Sequence, residues 1–151
     1  MSGEWVLRPA GSTDRERVTA LLERAGLPLA GVPRDLARFT VAESSTDGVI
    51  GAIGLEVYGR AALLRSAVVA PGWQSAGIGR GLVSAVLREA ERLGVTEIFL
   101  LTTTAGDYFP RFGFTRTDRR EVPEPLLASE ELRGACPASA VVMRRRLQGP
   151  D

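Results

Sequence analysis

Residues 70–82 read APGWQSAGIGRGL, with Gly77, Gly79 and Gly81 in five positions where a strand-like run gives way to a helix-like one. A strand, a glycine-rich turn and a helix beginning beside it leave several backbone N–H groups free at a positive helix end, which suits an anion and phosphate best. A nucleoside triphosphate loop needs Gly, four residues and then Gly-Lys-Ser/Thr, and every basic residue of this chain is Arg. A dinucleotide turn needs Gly-x-Gly-x-x-Gly straight after the first strand of a βαβ unit, whereas these glycines alternate and lie several residues after Pro71. The plain alternative is a glycine-rich helix entrance with no ligand.

Outward from this turn, Ile78, Leu82, Val86, Ala90 and Leu93 recur at helical spacing with Ser84, Arg88, Glu91 and Arg92 on the other side, so a helix is expected from about Ile78 to Leu93, closed by Gly94. Upstream, ALLRSAVVA (62–70) reads as a strand, reached from VIGAIGLEVY (49–58) through a tight turn at Gly59 and Arg60. FTVAE (39–43) pairs with 49–58 as a hairpin, and WVLRPA (5–10) is a first strand. A helix opened by Thr13, with Glu16 completing a capping box, follows it. A short helix is expected from Pro33 to Ala37, in a segment readable as a lid over a ligand or as a connector.

Downstream, TEIFLLT (96–102) suits a buried parallel strand, AGDYFPRFG (105–113) a short helix interrupted by Pro110, and FTRTD (114–118) an edge strand. SEELRGA (129–135) reads as a last short helix and SAVVMRRRL (139–147) as the closing strand, with Arg144 to Arg146 a solvated end. Hairpins come first and a crossover later. The expectation is a single α/β domain over residues 1–151 with a central mixed, mostly antiparallel twisted sheet flanked by helices.

Composition narrows the chemistry. Nineteen basic against 18 acidic residues leave a net charge of +1, which argues against nucleic acid as a partner. No apolar run approaches a membrane span and the amino terminus lacks a signal pattern, so no membrane and a cytoplasmic location are expected. The absence of histidine removes Ser-His-Asp and Cys-His arrangements and most zinc sites, and no metal is expected. Cys136, the lone cysteine, is read as a buried small hydrophobe.

Register places two charged residues together. With Tyr58 opposite Ala61, Glu56 falls opposite Leu63, and Arg65 is its diagonal neighbour on the same face, opposite Gly54. The expected roles are Arg65 for a substrate carboxylate or comparable oxyanion and Glu56 for the substrate ammonium, with Gly54 leaving room for the ligand. A cross-strand salt bridge is the competing reading.

QSAGIG (74–79) matches the pattern Gln/Arg-x-x-Gly-x-Gly/Ala, and with AVVAP (67–71) before it and YFPRFGF (108–114) after it the chain resembles the GNAT acetyltransferase superfamily over nearly its whole length. The resemblance implies acetyl-CoA as co-substrate. It assigns the pyrophosphate to the backbone of Gln74, Ser75, Ala76, Gly77, Ile78, Gly79 and Arg80. Pantetheine falls to Val68, Val69 and Ala70 on a splayed strand edge, and further contacts to Thr102 and Phe109. It also implies an oxyanion-stabilising N–H near Val69. Ser75 stands where relatives often have Gly.

The sequence departs from the family at Leu63, where a base Glu often stands, and at Phe109, where an acid Tyr often stands; Tyr108 joins Glu56 and Arg65 as a catalytic candidate, but one residue early it points about 100° away on a helix, and core or rim packing is its competing reading. GLEVYGRAALLRSAVVAP, FLLTTTAGDYFPRFGF and ACPASAVVM are similar to small N-acetyltransferases of arsenic-resistance operons, and LLTTTAGDYF also to the acetyltransferase module of N-acetylglutamate synthases. These resemblances imply acetylation of the primary amine of a small amino-acid-like molecule, a glutamate-like arsenical or phosphinic compound among them, for detoxification. A non-catalytic acyl-CoA-binding sensor and a protein amino-terminal acetyltransferase are the alternatives, and the resemblance adds a homodimer through the carboxy-terminal strands, common among relatives, as one assembly to test.

Overall fold

Seven strands form one sheet in the order β1-β2-β3-β4-β5-β7-β6. The computed structural model describes residues 4–135 and 139–147, so the reading of Cys136 lies outside the described residues. The strands are β1 (Trp5–Pro9), β2 (Phe39–Ser44), β3 (Gly48–Tyr58), β4 (Ala61–Val69), β5 (Glu97–Thr102), β6 (Thr115–Thr117) and β7 (Val141–Arg146). All neighbours are antiparallel except β4 and β5, which the crossover helix α2 (Ile78–Arg92) makes parallel. The expected mixed, mostly antiparallel sheet is the one found, with 114–118 giving edge strand β6. Among the described residues no helix is long and apolar enough to cross a membrane.

The two helices lie on opposite faces. A Cβ on Gly51 would meet Ile78 and Leu82 of α2 at 3.2 Å, and one on Gly81 of α2 would meet Trp5 at 3.2 Å and Leu7 at 3.5 Å, so these strand positions share the α2 face. Side chains alternate along a strand, which turns Arg8 to the other face. There it holds Asp14 at the entrance of α1 (Arg15–Arg24) through two hydrogen bonds of 2.8 and 2.9 Å. The helix opening therefore differs from the Thr13–Glu16 box. A 3₁₀ turn over Ser12–Asp14 precedes α1, and the Asp14 carboxylate accepts the Gly11 N–H at 2.8 Å. The Arg8 guanidinium, and then the Gly11 N–H, hold the Asp14 carboxyl below its ordinary range against the opposing effect of burial.

The remainder of the α1 face is covered by residues 119–135, a run of short 3₁₀ turns ending in an irregular helical turn over Glu131–Ala135. Val122 and Leu126 pack there on Leu63, Phe99 and Val142, a small apolar cluster apart from the main core. The segment expected to hold a helix at Pro33–Ala37 is a series of turns. Leu36, fully buried, has φ +55° and Arg38 φ +59°, conformations a right-handed helix excludes, and burial of Val32 and Leu36 fixes them. The carboxy-terminal arginines are more than a solvated end, since Arg145 donates to the Phe112 carbonyl at 2.7 Å and Arg144 lies 3.9 Å from both Glu97 and Glu121.

Candidate active site

Strands β4 and β5 pair over three positions only, ending at Leu63 with Phe99, and then diverge. The gap is continuous with a cavity of about 790 Å³. Its walls are residues 64–69 on one side and 100–105 on the other. Leu82 and Val83 of α2 line it from one face of the sheet, Pro28, Arg65 and Glu131 from the opposite face, so the cavity passes through the sheet. Gln74, Ser75 and Gly79 lie at the end where β4 runs out.

At that end the resources are backbone. Gly77 caps α2 with φ +83°, a left-handed conformation that favours glycine, and Gly81 N–H donating to Gly77 at 3.1 Å closes the first turn. The N–H groups of the first turn have no partner four residues back, as at any helix start. Ser75 adopts φ +72°, a left-handed backbone conformation that favours glycine. Residues 74–77 and Arg80 are exposed, whereas the Ile78 side chain is core and leaves only its backbone available. Buried Trp73 anchors the loop by donating Nε1–H to Asp47 at 2.9 Å.

The three strand residues expected to line the donor site are not equivalent. Ala70 N–H donates to Ile50 at 2.7 Å, so the Ala70–Ile50 pair is hydrogen-bonded across to β3. Alternation along an antiparallel ladder then directs the Val68 groups to β3 as well and turns the Val69 N–H and C=O to the open edge. The Gln74 side chain donates to the Val69 carbonyl at 3.4 Å, as that orientation requires. Ala70 is buried and does not line the cavity. A bulge interrupts β4 between Arg65 and Val68, where Ser66 has φ +60°.

Thr102 lines the cavity, and its hydroxyl accepts the Ala105 N–H at 2.8 Å, fixing the turn after β5. Phe109 is core, edge-on to Phe114 at 5.9 Å between centroids, while touching the cavity. Tyr108 lies over the start of α2, its hydroxyl 2.5 Å from where a Cβ on Gly79 would be, with Arg111 4.5 Å from its ring centroid. The close approach that Gly79 permits is therefore first of all to Tyr108.

The expected register of β3 and β4 is the one present: Tyr58 with Ala61, Glu56 with Leu63, Gly54 with Arg65. Glu56 and Arg65 meet at 2.7 Å. The room at Gly54, however, is filled by Phe39, whose ring would lie 2.5 Å from a Cβ there. Arg65, with no exposed side-chain surface, donates through Nε to Ser66 at 3.1 Å and through Nη1 to Glu56. Its Nη2 donates to the Ala30 carbonyl at 2.8 Å and, at 3.4 Å, to that of Pro28. The guanidinium thus fastens the 27–38 segment to the sheet, leaving it little to offer a substrate carboxylate. Glu56 is equally engaged: its second oxygen accepts the Tyr58 hydroxyl at 2.5 Å, and it does not line the cavity. Burial, and then the bond to Glu56, push the Tyr58 hydroxyl up to about 12.

Sequence reasoning did not find Glu131. It lines the cavity with its side chain 5% exposed, and its carboxylate stands 3.7 Å from Arg65 Nη2. Burial pushes this carboxyl up to about 7; Arg65 draws it down and Glu56 pushes it further up. Nothing in the pattern of residues 129–135 distinguishes it from the exposed Glu130 beside it.

Residues 35–116 match the family model described as acetyltransferase (GNAT) domain. The fold is shared with N-acetylglutamate synthase from Neisseria gonorrhoeae, solved with coenzyme A and N-acetyl-glutamate, at a TM-score of 0.81 and 23% identity over 98% of this chain and 36% of that one. The chain thus spans about a third of that synthase. It is also shared with Rv2747 from Mycobacterium tuberculosis, solved with CoA, at a TM-score of 0.79 and 22% identity over 95% and 99% of the two chains. Ard1 from Thermoplasma volcanium gives a TM-score of 0.70 and 18% identity over 95% and 98%. The parting of β4 from β5 lies beside a glycine-rich helix start, and the family match spans more than half of the chain: the protein is a member of the acetyltransferase (GNAT) domain family.

Proposed function

We propose that this enzyme acetylates the primary amine of a small amino-acid-like molecule, and that glutamate-like arsenical or phosphinic compounds are its detoxification substrates. The observation that carries the amine reading is the charge at the far end of the cavity, where one guanidinium faces two carboxylates, Glu56 at 2.7 Å and Glu131 at 3.7 Å. A buried cluster short of positive charge favours a cation, and an ammonium completes it. Support for the amino-acid reading comes from the likeness to small arsenic-resistance acetyltransferases in residues 54–71, 99–114 and 135–143, and from the fold held in common with a synthase solved with N-acetyl-glutamate.

In this reading the backbone of residues 74–80 holds the pyrophosphate, and the open edge at Val69 pairs with pantetheine. Acetyl-CoA supplies the activated acyl group. The Val69 N–H, fixed by the β3–β4 ladder, stands ready to donate to the acyl oxygen as negative charge gathers there. Arg65 and Glu56 position the walls of the acceptor end, and the apolar side chains of Leu82, Val83 and Leu100 keep water from the passage.

CoA release from acetyl-CoA, with mass spectrometry of the products, tests this on glutamate, aspartate, phosphinothricin, arsinothricin, polyamines and short peptides. An acetylated small amino acid is the expected result. Acetylation confined to peptides would contradict the substrate class, and release on polyamines alone would leave only the amine part standing.

A further inference from the structure

Resting on the reading that the cavity brings an acyl donor and an amine together, we propose that the Glu131 carboxylate receives the acceptor's ammonium and takes its proton. The family's usual base position is Leu63 here, a fully buried apolar residue, so the proton needs another acceptor. Glu56 is occupied on both oxygens, by Arg65 and by Tyr58. Glu131 differs from it in two ways: its side chain is 95% buried on the cavity wall, and it accepts no hydrogen bond from the described residues. No buried side-chain oxygen among those residues is sealed off without a partner, so the Glu131 oxygens open on the cavity.

The charges facing Glu131 define what fits. Arg65 approaches from β4 and Glu56 stands behind it on β3, while the 27–38 segment offers that same guanidinium the Pro28 and Ala30 carbonyls. On its own turn, Glu130 and Arg133 pair with each other at 3.8 Å. Arg65 is therefore shared among several acceptors, and its distance of 3.7 Å from Glu131 is too long for a hydrogen bond. A substrate ammonium supplies the missing donor. A carboxyl raised to about 7 is also well matched to proton transfer near neutral pH, where a strongly acidic one has little pull.

In the step proposed, an N–H bond of the ammonium breaks, its proton passes to Glu131 and the electron pair stays on nitrogen. That pair forms the bond to the acetyl carbonyl carbon as the carbon–sulfur bond breaks and its electrons leave with sulfur. The second proton from nitrogen goes to the thiolate, giving coenzyme A, and Glu131 returns its proton to solvent.

The test is kcat/KM against pH for an amine that the wild-type enzyme acetylates, with the variants Glu131→Gln and Glu131→Asp, and acetyl-CoA affinity by calorimetry. The wild type is expected to gain activity as pH rises through about 7. Glu131→Gln should lose that limb and about 10²–10⁴-fold in rate, Glu131→Asp should keep part of both, and all three should bind acetyl-CoA alike. A Glu131→Gln enzyme with the wild-type rate and profile overturns the proposal and leaves the acetyltransferase reading intact. Loss of acetyl-CoA binding in that variant assigns Glu131 to the scaffold and also overturns it. A wild type that binds acetyl-CoA yet acetylates no amine overturns both readings.

Discussion

The two ends of the cavity are made of different materials. Where β4 runs out, the protein presents backbone N–H groups, glycines and exposed loop residues; back along the strand, past the bulge at Ser66, it presents the buried Arg65 and Glu131, with Glu56 behind them on β3. Backbone donors at a helix start serve any molecule carrying the same phosphates, so this end suits a co-substrate common to a whole family. Buried charges serve one arrangement only, because each missing partner costs several kcal/mol, so this end suits selection of one acceptor.

The comparison breaks most visibly at Arg65. Arg65→Met keeps the volume but leaves Glu56 and Glu131 buried without their cation, and urea unfolding at pH 7.5 should show a loss of about 3–5 kcal/mol. A loss below about 1 kcal/mol would mean that the far end is wetter than its burial indicates. A smaller effect is expected on the strand between the two regions. Gly54→Ala drives a methyl group into the Phe39 ring and should cost about 1–3 kcal/mol, and a Gly54→Ala protein as stable as the wild type would show that Phe39 moves freely. The smallest effect belongs to the phosphate end. Ser75→Gly relieves the left-handed backbone while freeing the unfolded chain, and the two nearly cancel, leaving a change within about 1 kcal/mol. A large change in stability there would show that the Ser75 side chain makes contacts the loop depends on.

The same contrast decides what could be read from the sequence. The glycine turn, α2 and the flanking strands announce themselves within a contiguous stretch, since helical and strand periods act over a few residues. The Glu56–Arg65 contact was also legible, because a two-residue turn at Gly59 and Arg60 propagates its register along both strands. Glu131 was not. It reaches Arg65 across the fold from a run of 3₁₀ turns that has no periodic pattern, and its burial depends on packing that no local rule encodes. Two local rules were overridden for the same reason: Arg8 captured Asp14 ahead of the Thr13 cap, and burial of Leu36 replaced the short helix with turns. Gly54, read as room for a ligand, is room for Phe39, a neighbour supplied by register with β2.

The most direct measurement is the stability of Glu131→Gln against that of the wild type, by urea unfolding between pH 4.5 and pH 8. A carboxyl whose folded pKa is about 7, above its ordinary 4.5, binds more protons folded than unfolded in this window, so the wild type should lose stability as pH rises through it. Glutamine carries no such charge. The variant should match the wild type near pH 4.5 and exceed it by about 3 kcal/mol at pH 8, gaining stability at the position where activity is lost. A variant less stable than the wild type at pH 8 would mean that Glu131 is a satisfied partner of Arg65, and the acceptor end would have no carboxylate waiting for a cation.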